Sequence, residues 1–213
     1  MTPNDPQHLL DHLVYGAVDL DKAVATIGGA LGIDPVEGGR HLGRGTRNYL
    51  FGLTETSYVE IIGLDPDNPA DPDTFVPFQV DQLSHDRLVG FAVHPTDMDG
   101  AVEASRRHGA HLDDPAQMSR TTPDGQVLNW ALSIADVLPD DGLAPFLIDW
   151  GTTPHPAGQD LPRVELLDLR LTHPDADRLN SLYADLGLGL RATVGRPGLS
   201  ATLRGPGGEL VLS

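Results

Sequence analysis

One interval constrains the fold of this chain more than any local propensity. Asp19-Leu20-Asp21-Lys22-Ala23-Val24 is echoed by Asp97-Met98-Asp99-Gly100-Ala101-Val102, 97 − 19 = 78 residues later. Asp175-Ala176-Asp177-Arg178-Leu179 follows after a further 175 − 97 = 78 residues. Self-similarity at a fixed spacing means that one supersecondary unit is built more than once. In each copy a short apolar run leads into an aspartate, and helical spacing of apolar residues follows it. An aspartate at that junction is a helix N-cap, because its carboxylate accepts from an amide that the first turn leaves unpaired. The three aspartates therefore belong to the scaffold and carry no chemistry.

The first copy predicts a strand over residues 8–18 and a helix over 20–31, with Leu20, Val24, Ile27 and Leu31 on one stripe and Gly32 as C-cap. Glycine-rich residues 38–46, then 48–53 and 57–63, complete a β-α-β-β-β unit, with bends or bulges at Gly38 and Gly39. A non-repetitive linker, 64–85, rich in Asp and Pro, leads to a second unit over 88–151. Its elements fall at 88–93, a helix at 98–108, 117–122, 126–133 and 145–150, with Pro123-Asp124-Gly125 as a hairpin signal. After Pro154-His155-Pro156, a third, shorter unit spans 164–213. Its helix covers 176–186, and strands fall near 189–194, 198–204 and 208–213. The expected fold class is α+β, with 8–156 as one domain of paired units and 164–213 as an appended unit.

Composition removes several classes of function. The formal charge of −17 opposes phosphate backbones, which are held by clustered Lys and Arg. With no cysteine among 213 residues, disulfides, thiolate metal sites and cysteine nucleophiles are absent. No apolar run approaches the ~20 residues of a membrane helix. The first residues lack the basic-then-apolar pattern of a secretory signal, so a cytoplasmic location is expected. No Gly-x-Ser-x-Gly elbow or dinucleotide fingerprint is present.

Tandem β-α-β-β-β units, together with Asp11-His12-Leu13-Val14-Tyr15, Gly38-Gly39-x-His41, Gly45-Thr46-x-Asn48 and Tyr58-x-Glu60, resemble the vicinal oxygen chelate superfamily. That superfamily includes glyoxalase I, extradiol dioxygenases and bleomycin-resistance proteins, and the chain most resembles its glyoxalase-like domain group. Ser119-Arg120, Pro123-Asp124-Gly125 with Trp130, and Pro145-Phe146-x-Ile148-x-Trp150 extend the resemblance through residue 156. The resemblance implies that two units curl into a cup-shaped mixed sheet with helices outside. It also implies a divalent metal held by ligands from the first and fourth strands of each unit.

Strand alternation places His12 on a face with Leu10 and Val14, and Glu60 on a face with Tyr58 and Ile62. An imidazole and a carboxylate thus fill the first- and fourth-strand positions of the first unit, a donor pair suited to Zn, Fe, Mn or Ni. In the second unit the interval sets Gly90 where His12 stands, and Ile148 matches Glu60. Two ligands remain where three are usual, and His41 supplies a third if its strand curves inward. The plainer reading of His12 is a hydrogen-bonded core histidine. Glu60 needs a partner when buried, which a metal, His12 or Arg120 could each provide; without a metal it suits a general base. Trp130 stacks on a ligand or fills the core with Leu128 and Leu132. Arg120 would select an anionic substrate. His94, His155 and His173, each before a proline, read as turn residues.

The expected function is that of a glyoxalase-like enzyme, a lyase or isomerase before a dioxygenase. It would act on a small anionic molecule bound by His41, Asn48, Arg120 and Trp130, with Glu60 moving a proton and His12 and Glu60 holding any metal. A non-catalytic small-molecule binder of the bleomycin-resistance type is the alternative. An odd third unit leaves sheet edges open, so a homodimer is expected, or else a third unit that covers the cup.

Overall fold

The computed structural model describes residues 9–122, 125 and 127–213, and of Arg120 and Thr121 only the backbone. The first repeat folds as β1 (Leu10–Gly16), α1 (Leu20–Leu31), β2 (Val36–His41), β3 (Thr46–Gly52) and β4 (Tyr58–Leu64). The second is β5 (Arg87–Val93), α2 (Met98–Arg107), β6 (Ala116–Thr121), β7 (Val127–Ser133) and β8 (Phe146–Asp149). Asp19, Asp97 and Asp175 each accept from the amide three residues on, those of Lys22, Gly100 and Arg178. Helix α1 buries Leu20, Ala23, Ile27 and Leu31 and ends at Gly32 in the left-handed conformation, φ 68°. Of the hairpin signal, Pro123 and Asp124 lie outside the described residues.

The eight strands close into a barrel in the order β1-β4-β3-β2-β6-β7-β8-β5, with β5 returning to β1. Each unit thus supplies four strands in the same internal order. On the β1–β5 seam Leu13 lies opposite Phe91. Since 91 − 13 = 78, the local two-fold relating the units passes through this pair. Two bulges obey the same symmetry. The register slips between Leu10 and His12, leaving Asp11 unpaired, and again opposite Val14 and Tyr15, leaving Val89 unpaired, where 89 − 11 = 78.

The first bulge corrects the strand alternation. Leu10 and Leu13 both join the apolar layer outside the barrel, whereas Val14 joins the layer inside, and His12 faces inward with Val14 rather than with Leu10. An extra residue reverses the phase of everything before it. On β4 alternation holds, and Tyr58, Glu60 and Ile62 all face the interior. Apolar residues thus form two bodies. Val14, Leu50, Leu128, Trp130, Phe146 and Ile148 line the barrel, while Leu13, Val59, Ile61, Phe91 and Leu147 pack under the helices.

The third repeat, β9 (Glu165–His173), α3 (Ala176–Asp185), β10 (Ala192–Val194), β11 (Gly198–Gly205) and β12 (Gly208–Leu212), keeps the sequence of elements and changes their pairing. Its order is β10-β9-β11-β12, so its first strand is interior, parallel to β10 and antiparallel to β11. It packs on the helical side of the barrel, within the same apolar body as α1 and α2. The turn after β11 sits on the end of α1: a Cβ on Gly205 would stand 2.2 Å from the Leu31 carbonyl, so only glycine permits this approach. Tyr183 of α3 donates to the Leu143 carbonyl at 2.7 Å. Among the described residues none from 164–213 lines the cup, so the third unit is not its lid. The linker takes that place, with Phe75, Pro77 and Phe78 at the cavity, the last two in a 3-10 turn over Pro77–Gln82.

Candidate functional site

The barrel encloses a cavity of about 220 Å³. Its polar end is built by β1, β3 and β4. His12 is 3% exposed, and its Nδ1 lies 2.7 Å from Asp11 Oδ1. Asp11 reaches it because the bulge frees that side chain from the alternation. The carboxylate also accepts from Trp150 Nε1 at 3.0 Å and from His155 Nε2 at 3.1 Å. Burial opposes the Asp11 charge, but the bonds from His12 and His155, and their positive field, outweigh it and hold the carboxyl at about 2. An ionised carboxylate only accepts, so His12 carries its hydrogen on Nδ1 and turns Nε2 toward the cup. The ring is stacked on Tyr58, centroids 4.6 Å apart, and meets Phe146 in a T-shaped arrangement with centroids 5.4 Å apart.

His12 Nε2 stands 3.8 Å from Glu60 Oε2. Glu60, 6% exposed, is steadied by Asn48, whose Nδ2 donates to Oε1 at 2.5 Å. The other amide atom, Asn48 Oδ1, is buried without a partner. Gly38 makes room for this amide: a Cβ there would lie 2.4 Å from Oδ1. His41 lines the same cavity, with Nδ1 2.9 Å from Thr46 Oγ1. Trp130 also lines it, tilted against Trp150 at 5.3 Å, so it is at once core and wall. Arg120 pairs with Leu128 along β6 and β7, and its side chain lies outside the described residues. Arg44, Asp113, Asp114, Ser119 and Asp136 are also in the polar lining.

Register defines what the second unit offers in return. Val14 pairs with Glu60 on the parallel β1–β4 ladder, and Ala92 with Phe146 on β5–β8, where 92 − 14 = 78. Phe146, rather than Ile148, therefore occupies the place of Glu60. Asn48 lies opposite Ile62 and Leu132 opposite Ile148, so Leu132 stands for Asn48. Gly90 stands for His12, and Leu138 fills the space that a side chain there would need. Among the described residues no group of three His, Cys, Asp or Glu could hold a metal. His12 and Glu60 face a phenyl ring, and His41, though it lines the cavity, does not complete a group of three with them, so the described residues do not fit the three protein ligands usual for a catalytic metal.

Sequence reasoning missed the Asp11 hub. His155, read as a turn residue, does turn the chain, its Nδ1 accepting from the Ala157 amide, but its other nitrogen donates to Asp11. His94 also approaches, Nδ1 4.0 Å from Asp11 Oδ2. The available signal was a carboxylate inside an apolar strand beside a histidine. The linker aromatics left no signal, because nothing in their spacing points at the cup.

Comparison with known proteins agrees with this architecture. A family model described as glyoxalase-like domain matches residues 10–187. No curated protein matches the chain. Among solved structures, a hypothetical protein from Staphylococcus aureus aligns with a TM-score of 0.61 at 15% identity, covering 95% of this chain and 83% of that one, which shows a shared fold. A Streptomyces coelicolor methylmalonyl-CoA epimerase variant in complex with 2-nitronate-propionyl-CoA aligns at 0.45 and 17% identity, covering 69% of this chain and 97% of its own. A 4-hydroxymandelate synthase mutant from Streptomyces coelicolor aligns at 0.49 and 15% identity, covering 95% and 62%. No helix among the described residues is long and apolar enough to cross a membrane. With the family model spanning both barrel units, and the barrel built as the vicinal oxygen chelate fold requires, this chain belongs to the glyoxalase-like domain family.

Proposed function

We propose that the cup is the active site of a proton-transfer enzyme of the isomerase or lyase type. The observation that carries this reading is the buried chain Asp11–His12···Glu60–Asn48, open to a cavity whose nearest walls are the aromatic rings of Tyr58 and Phe146. Water-poor surroundings strengthen each charge at the reacting end. Glu60 Oε2 takes a proton from a substrate carbon beside an electron-withdrawing group, and His12 Nε2, held in one tautomer by Asp11, receives that proton and returns it to the substrate. Asn48 holds the Glu60 carboxylate in place through its Oε1. The described residues do not fit a divalent metal, and the steps are assigned to side chains.

The test is exchange of an acidic C–H with solvent. 1-Phenylpropan-2-one, a ring beside a carbonyl, is incubated with the protein in D2O and followed by proton NMR. Exchange above the buffer rate, lost by about 10²–10⁴-fold in Glu60→Gln, is expected. Exchange equal to buffer would overturn proton transfer. The aromatic lining would then favour the second reading, a binder that sequesters its ligand. In either case we propose a homodimer through the open edges β10 and β12, expected at 2 × 22.7 = 45.4 kDa in light scattering.

A further inference from the structure

Two acceptors at the polar end of the cup have no donor at hydrogen-bond length among the described residues. Glu60 Oε2 has His12 Nε2 at 3.8 Å, beyond hydrogen-bond length, and Asn48 Oδ1 is buried without a partner. A buried acceptor left unpaired carries the full cost of its desolvation, and a ligand that supplies a donor regains that energy. In its neutral form His12 adds a third acceptor, because its hydrogen is committed to Asp11. Five aromatic rings, Tyr58, Phe78, Trp130, Phe146 and Trp150, stand in the walls among aliphatic residues such as Ile62 and Ile148. Such walls suit a planar body and attract a cation through their quadrupoles. At about 220 Å³ the space is below the ~300–1,000 Å³ of pockets that take drug-sized molecules. The lining adds Asp113 and Asp136 against Arg44, while Asp114 is paired with Arg106 at 2.8 Å. The charge of −17 extends the same sign over the whole molecule.

We infer that the cup takes a ring-sized molecule, uncharged or cationic, whose polar end donates N–H or O–H bonds to Glu60 and Asn48. This rests on the reading of the cup as the binding site, and it competes with the anionic substrate that Arg120 suggests. A carboxylate or phosphate placed at this end would meet acceptors and a buried charge of its own sign.

Three probes of one skeleton separate the possibilities: benzylammonium, benzyl alcohol and benzoate, each titrated at pH 7. The chain holds 2 tryptophans and both line the cup, so quenching of intrinsic fluorescence reads occupancy directly. Benzylammonium and benzyl alcohol are expected to bind about tenfold or more tighter than benzoate. Glu60→Gln should weaken benzylammonium about tenfold and leave benzyl alcohol within about threefold. Benzoate binding as tightly as either donor would overturn the inference, most directly if Arg120→Ala abolished it. So would the absence of saturable quenching by both donors up to about 10 mM, the range expected for fragments of this size. The exchange assay fails separately. Exchange together with a benzoate preference rejects the ligand class alone, whereas a donor preference without exchange rejects the enzyme alone.

Discussion

Strands β1–β4 and β5–β8 repeat one backbone down to the bulge, yet four matched strand positions differ in chemistry between the halves. Asp11, His12, Asn48 and Glu60 on one side answer to Val89, Gly90, Leu132 and Phe146 on the other. The fold needs the shape of each position and not its polarity, since the second half builds the same ladder from apolar residues. Burying four polar side chains opposes folding unless their bonds are made, so the first half carries a cost that the second shows to be avoidable. Structural demand does not account for that asymmetry, whereas the proposed proton transfer would. The third repeat teaches the complement: with the same element order but its first strand inside the sheet, it makes no cup and serves as packing for α1 and α2.

The largest effect should come from exchanging the two bulge residues. Asp11→Val leaves His12 Nδ1, Trp150 Nε1 and His155 Nε2 without their shared acceptor and should cost about 3–5 kcal/mol in denaturant unfolding. Val89→Asp, which buries a carboxylate with no donors arranged for it, should cost as much. If either exchange were nearly neutral, the asymmetry would not be a matter of buried bonding.

Phe146→Glu would place a carboxylate opposite His12 and Glu60 and complete a three-donor set. Zinc binding near one equivalent by calorimetry is expected for this variant. The parent chain, purified without chelator, should hold less than about a tenth of an equivalent of any transition metal. A parent that binds zinc stoichiometrically would show that the second half need not contribute a ligand.

The hub has a pH signature of intermediate size. Asp11 has a folded value of about 2 against an ordinary 3.8, so its bonds stabilise the protein fully above about pH 4 and are lost as pH falls through 2. That difference corresponds to about 2 kcal/mol. The acid limb of a stability–pH curve should show this loss in the parent and lack it in Asp11→Val.

How far the sequence foretold these features depends on the interaction involved. Helix starts were legible because an N-cap is local, and the repeat interval was legible because the two-fold of the barrel is written into residue spacing. His12, Asn48 and Glu60 were legible as polar residues in apolar strands. The partner of Glu60 across the cup was misplaced at Ile148 because the span from β5 to β8 is longer than that from β1 to β4, and only the ladder register shows it. His12 was assigned to the face of Leu10 because one unpaired residue cannot be seen in an alternation. The Asp11–His155 bond joins residues 144 apart, and no spacing rule reaches that far.

The smallest effect tests the finest part of the polar half. Gly38 has room for no side chain, since a Cβ would stand 2.4 Å from Asn48 Oδ1 and 2.9 Å from Leu50 Cγ. Gly38→Ala should push the Asn48 amide off Glu60 and cost about 1 kcal/mol, read as a lowered midpoint in thermal unfolding. If that cost comes from the amide, Gly38→Ala in an Asn48→Ala background should cost less, because the atom it strikes is gone. An unchanged cost would assign the strain to Leu50 and the backbone instead. The cycle thereby separates a glycine kept to seat the Asn48–Glu60 pair from one kept only to bend a strand.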